Sequence, residues 1–186
     1  MSEIRFFEKA LRDIASFLDT NDIPYMVVGG LANAQWGHPR ATLDIDITIW
    51  VSDFNAENVL SVFQSSYIVL VEQPLQFILE TRVLPIKTRE NHRIDIIFGA
   101  LPFEHSAIER AVIVEVNDTP VRFCSAEDLI LMKIISERTK DAEDVQGIIR
   151  YQKESLDYDY LKPRIAELAS LLERSDIMEQ WKKWTR

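Results

Sequence analysis

The period of apolar and polar positions changes several times along this chain, and each change marks an element. Over residues 3–19 apolar side chains recur every three or four positions (Phe6, Phe7, Leu11, Ile14, Phe17, Leu18), which predicts an amphipathic packing helix. Thr20-Asn21-Asp22 and Pro24 end it. Met26-Val27-Val28 then reads as a short strand, stopped by Gly29-Gly30, with a helix opening at Leu31. From Leu43 to Ile49 the period is two. Leu43, Ile45, Ile47 and Ile49 take one face of a strand; Asp44 and Asp46 take the other. Asp53 and Asn55 start a helix of about three turns, through Val59, Leu60, Val62 and Phe63. Short strands are expected at 68–71 and 77–79. Residues 83–99 read as a hairpin, VLPIK and HRIDIIFG around a polar turn at 88–91. A second hairpin joins 111–116 to 121–123, and Pro120 makes its second arm short or places it at an edge. Ser125-Ala126-Glu127-Asp128 is a helix N-cap with an acidic first turn, opening LILMKIISER. Further helices begin near Lys140, Tyr160 and Asp176. The expected organisation is a core over residues 1–124 and a helical region over 125–186 packed on it.

Composition narrows the class. The chain has 186 residues, 47% hydrophobic and 27% charged, as in an ordinary globular protein of one domain, or one domain plus a helical extension. No apolar run is long enough to span a bilayer, and the N-terminus lacks a signal-peptide core, so the default location is cytoplasmic. The single cysteine, Cys124, excludes an internal disulfide and a cysteine cluster for zinc. A net charge of −9 weighs against broad nonspecific nucleic-acid binding, while leaving room for a local basic groove.

The candidate chemistry lies between Tyr25 and Trp50. Asp44 and Asp46 project from one strand face roughly 7 Å apart, a spacing that suits a hard divalent ion such as Mg2+ between all-oxygen ligands. The Gly29-Gly30 turn lets backbone N–H groups approach a phosphate at a helix N-terminus. Together they suggest a nucleoside triphosphate–metal site. Arg40 either clamps the triphosphate or is a solvated loop residue paired with an aspartate. Asp95, inside an apolar run, needs a partner. Beside the Asp44–Asp46 strand it completes a three-carboxylate cluster; otherwise it pairs with Arg93 or Arg40. Lys87 faces the same cleft or solvent, and His38 reads as a surface-loop residue. Lys133 interrupts an apolar helix and either snorkels outward or points at an anion. Asp141 and Asp144 share a helix face, as do Lys140 and Asp144, a pattern of helix pairing. Trp181-Lys182-Lys183-Trp184 with Arg186 fits a terminal packing helix better than a nucleic-acid-stacking end.

These residues carry a resemblance. Gly29-Gly30, Asp44-Ile45-Asp46 and Asp95 between apolar neighbours resemble the nucleotidyltransferase superfamily with the DNA-polymerase-β-like fold. Arg40-x-Thr42-x-Asp44-x-Asp46, and the later series Ser125-x-Glu127-Asp128-Leu129-Ile130, Lys133, Lys140-Asp141-x-x-Asp144, look like its AbiEii-type branch of toxin nucleotidyltransferases. The resemblance covers roughly residues 25–150. It implies an α+β fold, a mixed central sheet flanked by helices with a C-terminal helical extension. It implies transfer of a nucleoside monophosphate from a nucleoside triphosphate such as ATP to an acceptor hydroxyl, with two Mg2+ ions and release of pyrophosphate. In that reading Asp44, Asp46 and Asp95 bind metal and are catalytic with Lys133; Gly29, Gly30, Arg40 and Thr42 hold the nucleotide. The acceptor is RNA, a protein or a small molecule, and an antitoxin is a candidate partner. The alternatives are a small-molecule transferase of the antibiotic-modifying kind and a non-catalytic, antitoxin-like nucleotide- or partner-binding protein.

Overall fold

A computed structural model describes every residue except 1, 40, 41, 43, 52–54 and 186, with the backbone alone for 2–6. The expectations for Arg40, Leu43, Asp53 and Arg186 lie outside the described residues. The chain forms two compact units: Met1–Leu31 with Ala41–Cys124, and Ala32–Arg40 with Ser125–Arg186.

The first unit is built on a mixed sheet. In chain order its strands are β1 (Tyr25–Val27), β2 (Asp44–Ile49), β3 (Ile68–Val69), β4 (Val83–Lys87), β5 (Arg93–Phe98), β6 (Val112–Val116) and β7 (Thr119–Phe123). Across the sheet they run β3-β4-β5-β2-β1-β7-β6. The β2–β5 and β1–β7 pairs are parallel; the others are antiparallel. Register follows the alternation in the sequence. Ile45, Ile47 and Ile49 pair with Ile94, Ile96 and Phe98, and all are buried. Leu84 and Ile86 extend the same apolar face through Ile96 and Ile94. Burying each such side chain contributes about 1.5–3 kcal/mol, which fixes the register because a one-residue slip would expose the whole set.

Helix α1 (Ser2–Thr20) buries Leu11, Ile14 and Leu18 of the expected stripe, together with Ala10 and Ala15, while Phe7 and Phe17 are half-buried. Helix α2 (Gly29–Trp36) starts at the first glycine, two residues before the expected Leu31. Asn55 caps α3 (Ala56–Gln64) by accepting the N–H of Asn58 at 3.1 Å. Residues 77–79 are not a strand. They lie in α4 (Pro74–Thr81), where Pro74 pre-sets the first helical turn and Arg82 closes the helix at φ +59°. Only Ile78 of that apolar run is buried, because consecutive helical positions turn by about 100° and carry its neighbours off the buried side. Strand β3 is correspondingly shorter than 68–71. Helix α5 (Pro102–Glu109) is absent from the sequence expectation. Its first turn is secured by the Glu104 carboxylate, which accepts the N–H groups of Ala100 (2.8 Å) and Leu101 (2.9 Å). Strand β7 is not at the edge; β6 is. Asn117 and Asp118, at φ +46° and +63°, form a two-residue turn. The Glu115–Pro120 pair beyond it falls at the non-hydrogen-bonded position of the ladder, so the proline costs β6 nothing.

In the second unit, α6 (Ala126–Ile134), α7 (Thr139–Gln152), α8 (Tyr158–Leu171) and α9 (Ser175–Trp184) bury Leu129, Ile130, Val145, Ile148, Leu161, Ile165, Ile177 and Trp181. Ser125 caps α6 through the N–H of Asp128 (3.0 Å) and donates its hydroxyl to that side chain (2.8 Å). Tyr160 donates to the other Asp128 oxygen at 2.7 Å. The Trp36 carbonyl accepts from the Gln152 side chain at 2.9 Å. Among the described residues no helix is long and apolar enough to cross a membrane.

Ile96→Ala, at the centre of the apolar face, is expected to lower unfolding free energy by about 2–5 kcal/mol. Urea unfolding followed by circular dichroism reads this directly.

Candidate active site

The polar face of the same strands carries the carboxylates. Asp46 is the register partner of Asp95, and Asp44 is the partner of Arg93 one pleat earlier. Register partners share a sheet face, so Asp44, Asp46 and Asp95 lie together on the side opposite the isoleucines. Asp44 is exposed; Asp46 and Asp95 are half-buried. The β1–β2 junction is tied by the Val28 N–H, which donates to the Asp46 carbonyl at 2.9 Å.

The two glycines lie against this face. Gly29 has φ +64°, a conformation that a side chain strains, and a Cβ there would collide with the Asp46 carboxylate, 2.7 Å from its Cγ. At Gly30 a Cβ would stand 2.7 Å from the Thr42 hydroxyl oxygen. Thr42 in turn donates that hydroxyl to the Asp44 carbonyl at 3.2 Å. The sequence paired the glycines with a phosphate; the structure adds that Gly29 packs directly on Asp46 and Gly30 on Thr42.

Arg93 supplies the positive charge on this face. Its Nε donates to Asp95 Oδ1 at 3.1 Å and its Nη2 to Asp95 Oδ2 at 3.3 Å. The guanidinium is held charged more firmly than usual, first by these hydrogen bonds, then by attraction to Asp95, with Asp44 and Asp46 adding to it. Asp95 thus sits beside the other two carboxylates and pairs with Arg93 as well. Lys87 is the register partner of Arg93, with its ammonium on Asn91 at 2.9 Å. Among the described residues no three His, Cys, Asp or Glu side chains are gathered closely enough to hold a metal ion. The donor set nevertheless suits a hard cation in kind: carboxylate oxygens only, on one face of two paired strands.

Lys133 belongs to a different cluster, within the second unit. Its ammonium lies 2.7 Å from Asp141 Oδ1 and 2.8 Å from Asp144 Oδ2, and all three side chains are buried. Ser136 (2.8 Å) and Arg138 (2.6 Å) donate to the second Asp141 oxygen. Burial pushes the Asp141 carboxyl up, but the hydrogen bonds from Lys133, Ser136 and Arg138 outweigh it and hold the group below its ordinary value of 3.8. The sequence marked Asp141 and Asp144 as sharing a face; what it lacked was the α6–α7 turn that brings Lys133 between them.

The family model described as "nucleotidyltransferase of unknown function (DUF6036)" matches residues 6–186, and the chain belongs to that family. No curated protein matches. Among solved structures, an antigenic nucleotidyltransferase-like protein from Paracoccidioides brasiliensis superposes with a TM-score of 0.58 at 17% identity, covering 95% of this chain and 92% of its own. The lincosamide antibiotic adenylyltransferase LnuA, lincomycin-bound, gives 0.51 at 18%, covering 75% and 94%. ANT(2")-Ia in complex with adenylyl-2"-tobramycin gives 0.50 at 16%, covering 97% and 99%. The fold is that of the polymerase-β-like nucleotidyltransferases.

Lys133→Met would take the shared ammonium from two buried carboxylates, leaving Arg138 on Asp141 alone, and is expected to cost about 3–5 kcal/mol in urea unfolding. The Asp141 carboxyl, depressed in the folded state, stabilises the protein above its ordinary value, and that contribution is lost as pH falls through 3.8 and below. Thermal unfolding between pH 5 and pH 3 should therefore show a steeper loss in wild type than in Asp141→Asn.

Proposed function

We propose that this chain transfers a nucleoside monophosphate from a nucleoside triphosphate to an acceptor hydroxyl, releasing pyrophosphate, with Mg2+ as cofactor. The observation that supports it is the parallel pairing of β2 with β5, which sets Asp46 opposite Asp95 with Asp44 on the same face and Gly29 against Asp46. Asp44, Asp46 and Asp95 are the residues that would hold the divalent ions. Magnesium, when bound, supplies charge neutralisation for the leaving pyrophosphate and acidifies the acceptor hydroxyl.

The remaining roles belong to the chain. Gly29 and Gly30, free of side chains at the start of α2, leave backbone N–H groups open to the β- and γ-phosphates. Thr42, braced on the Asp44 carbonyl, shapes the wall beside Gly30. Arg40 offsets the triphosphate charge, and Asp95 accepts the proton of the attacking hydroxyl. Release of Asp95 from Arg93 would free that guanidinium for a phosphate oxygen. Lys133 already carries two carboxylates, which supports an anchoring role between α6 and α7 over direct contact with substrate.

ATP is the first donor to test, since LnuA is an adenylyltransferase and ANT(2")-Ia is captured with an adenylylated product. A small cationic acceptor is a second reading that one observation favours. The first unit holds nine Lys and Arg against seventeen Asp and Glu, a net −8.

Calorimetric titration with ATP and Mg2+ should show binding in wild type, and pyrophosphate release should follow once an acceptor is present. Asp46→Asn should lose metal-dependent binding and lower turnover by two orders of magnitude or more while keeping the wild-type unfolding curve. Full activity in that variant would overturn the assignment. Gly29→Val, which must strike Asp46, should lose nucleotide binding as well.

A further inference from the structure

The chain's negative charge is unevenly placed. The second unit holds twelve Lys and Arg against thirteen Asp and Glu, a net −1, so nearly all of the −9 lies in the first unit. Within the second unit, cations and aromatic rings converge on one cleft of about 350 Å³. Arg150 comes from the last turn of α7 and Lys153 is its C-cap; Tyr158 lies at the start of α8, and Lys183 and Trp184 at the end of α9. Gln146, Ile149 and Arg150 are spaced i, i+3 and i+4, and the helical C-cap Lys153 continues the row, so one stripe of α7 and its cap form a wall. No acidic side chain lines the cleft. Among the described residues Arg150, Lys153 and Lys183 have no carboxylate within ion-pair distance, although the unit has acidic residues to spare. The indole of Trp184 and the ring of Tyr158 are half-buried.

A second hollow of about 520 Å³ shares the wall formed by Gln146, Lys183 and Trp184. It differs from the first: Glu137 lines it, and its arginines are already matched. Arg138 is bonded to Asp141 and Arg174 to Asp176. Of the three unpaired cations of the first cleft only Lys183 also lines this hollow, which adjoins the cleft and gives a chain room to continue.

We infer that this cleft binds single-stranded nucleic acid, with a base stacked on Trp184 and the backbone phosphates on Arg150, Lys153 and Lys183. Three features carry the assignment. Cations without partners attract an anion of repeating charge. A half-buried indole offers a face to any base. Two hollows sharing the Trp184 wall suit consecutive units of a strand better than one free nucleotide. Part of the charge has a structural use as well, because Arg150 and Lys183 lie in the last turns of their helices and complement the dipoles there. Stability and binding must therefore be read separately. The site is argued from the second unit alone and needs no transfer activity.

The test is fluorescence anisotropy of the full chain with a 5′-labelled twelve-nucleotide oligoadenylate, as RNA and as DNA, in EDTA at 50 mM salt, with free AMP as competitor. Wild type should bind the strand, with log affinity falling against log salt at a slope of about −2, the value for three phosphates. Arg150→Glu/Lys183→Glu should weaken binding tenfold or more. Trp184→Ala should weaken it roughly five- to 150-fold, the range carried by one stacked base, while Trp184→Phe restores most of it. Circular dichroism melts check that each variant is folded. Asp46→Asn, which removes the proposed transfer chemistry, should bind as wild type does, so failure of either reading is seen apart from the other. Absence of strand binding, variants that bind like wild type, or AMP competing as well as the oligomer would each overturn the inference; the last would make this a free-nucleotide site.

Discussion

The structure depends on the in-register parallel pairing of β2 with β5. Two strands of alternating sequence, DIDITI and RIDIIF, lie side by side so that six isoleucines and phenylalanines close one face and three aspartates line the other. The two faces need each other. Apolar burial forces the register, and the register alone brings together like charges that would otherwise separate, since carboxylates at neighbouring sheet positions destabilise one another. Hydrophobic energy spread over a whole sheet face is spent holding a local electrostatic strain in place.

Much of this was legible in the sequence, for a physical reason. A period of two places Asp44 with Asp46 and isolates Asp95 among isoleucines, and a buried carboxylate demands a partner whatever the fold. Whether that partner was Arg93 or the other aspartates could not be read along one strand, because it depends on which strand lies beside it. The structure gives both. The helix caps at Asn55 and Ser125 were also readable, since they are local hydrogen bonds between residues three apart. Residues 77–79 are ambiguous in the sequence because three apolar residues fit either period; Pro74 and the single buried Ile78 decide for a helix. The closeness of Gly29 to Asp46 is a long-range fact with no trace in its sequence neighbours.

The Lys133 cluster shows the other limit. Sequence spacing put Asp141 and Asp144 on one face and left Lys133 pointing outward or at an anion. The anion proves to be this pair, across the turn between α6 and α7. A lysine within an apolar helix thus finds an internal partner, which one helix read alone does not show.

The ion pair between Arg93 and Asp95 has a thermodynamic consequence of its own. Because the guanidinium is covalently attached two residues away, the carboxylate face carries a counter-ion that cannot diffuse off or be removed by dialysis. Any cation arriving from solution enters an exchange, and its affinity is set by the difference between two attractions. A face partly neutralised in this way should be selective for high charge density, since a monovalent ion offers too little to displace a bidentate arginine.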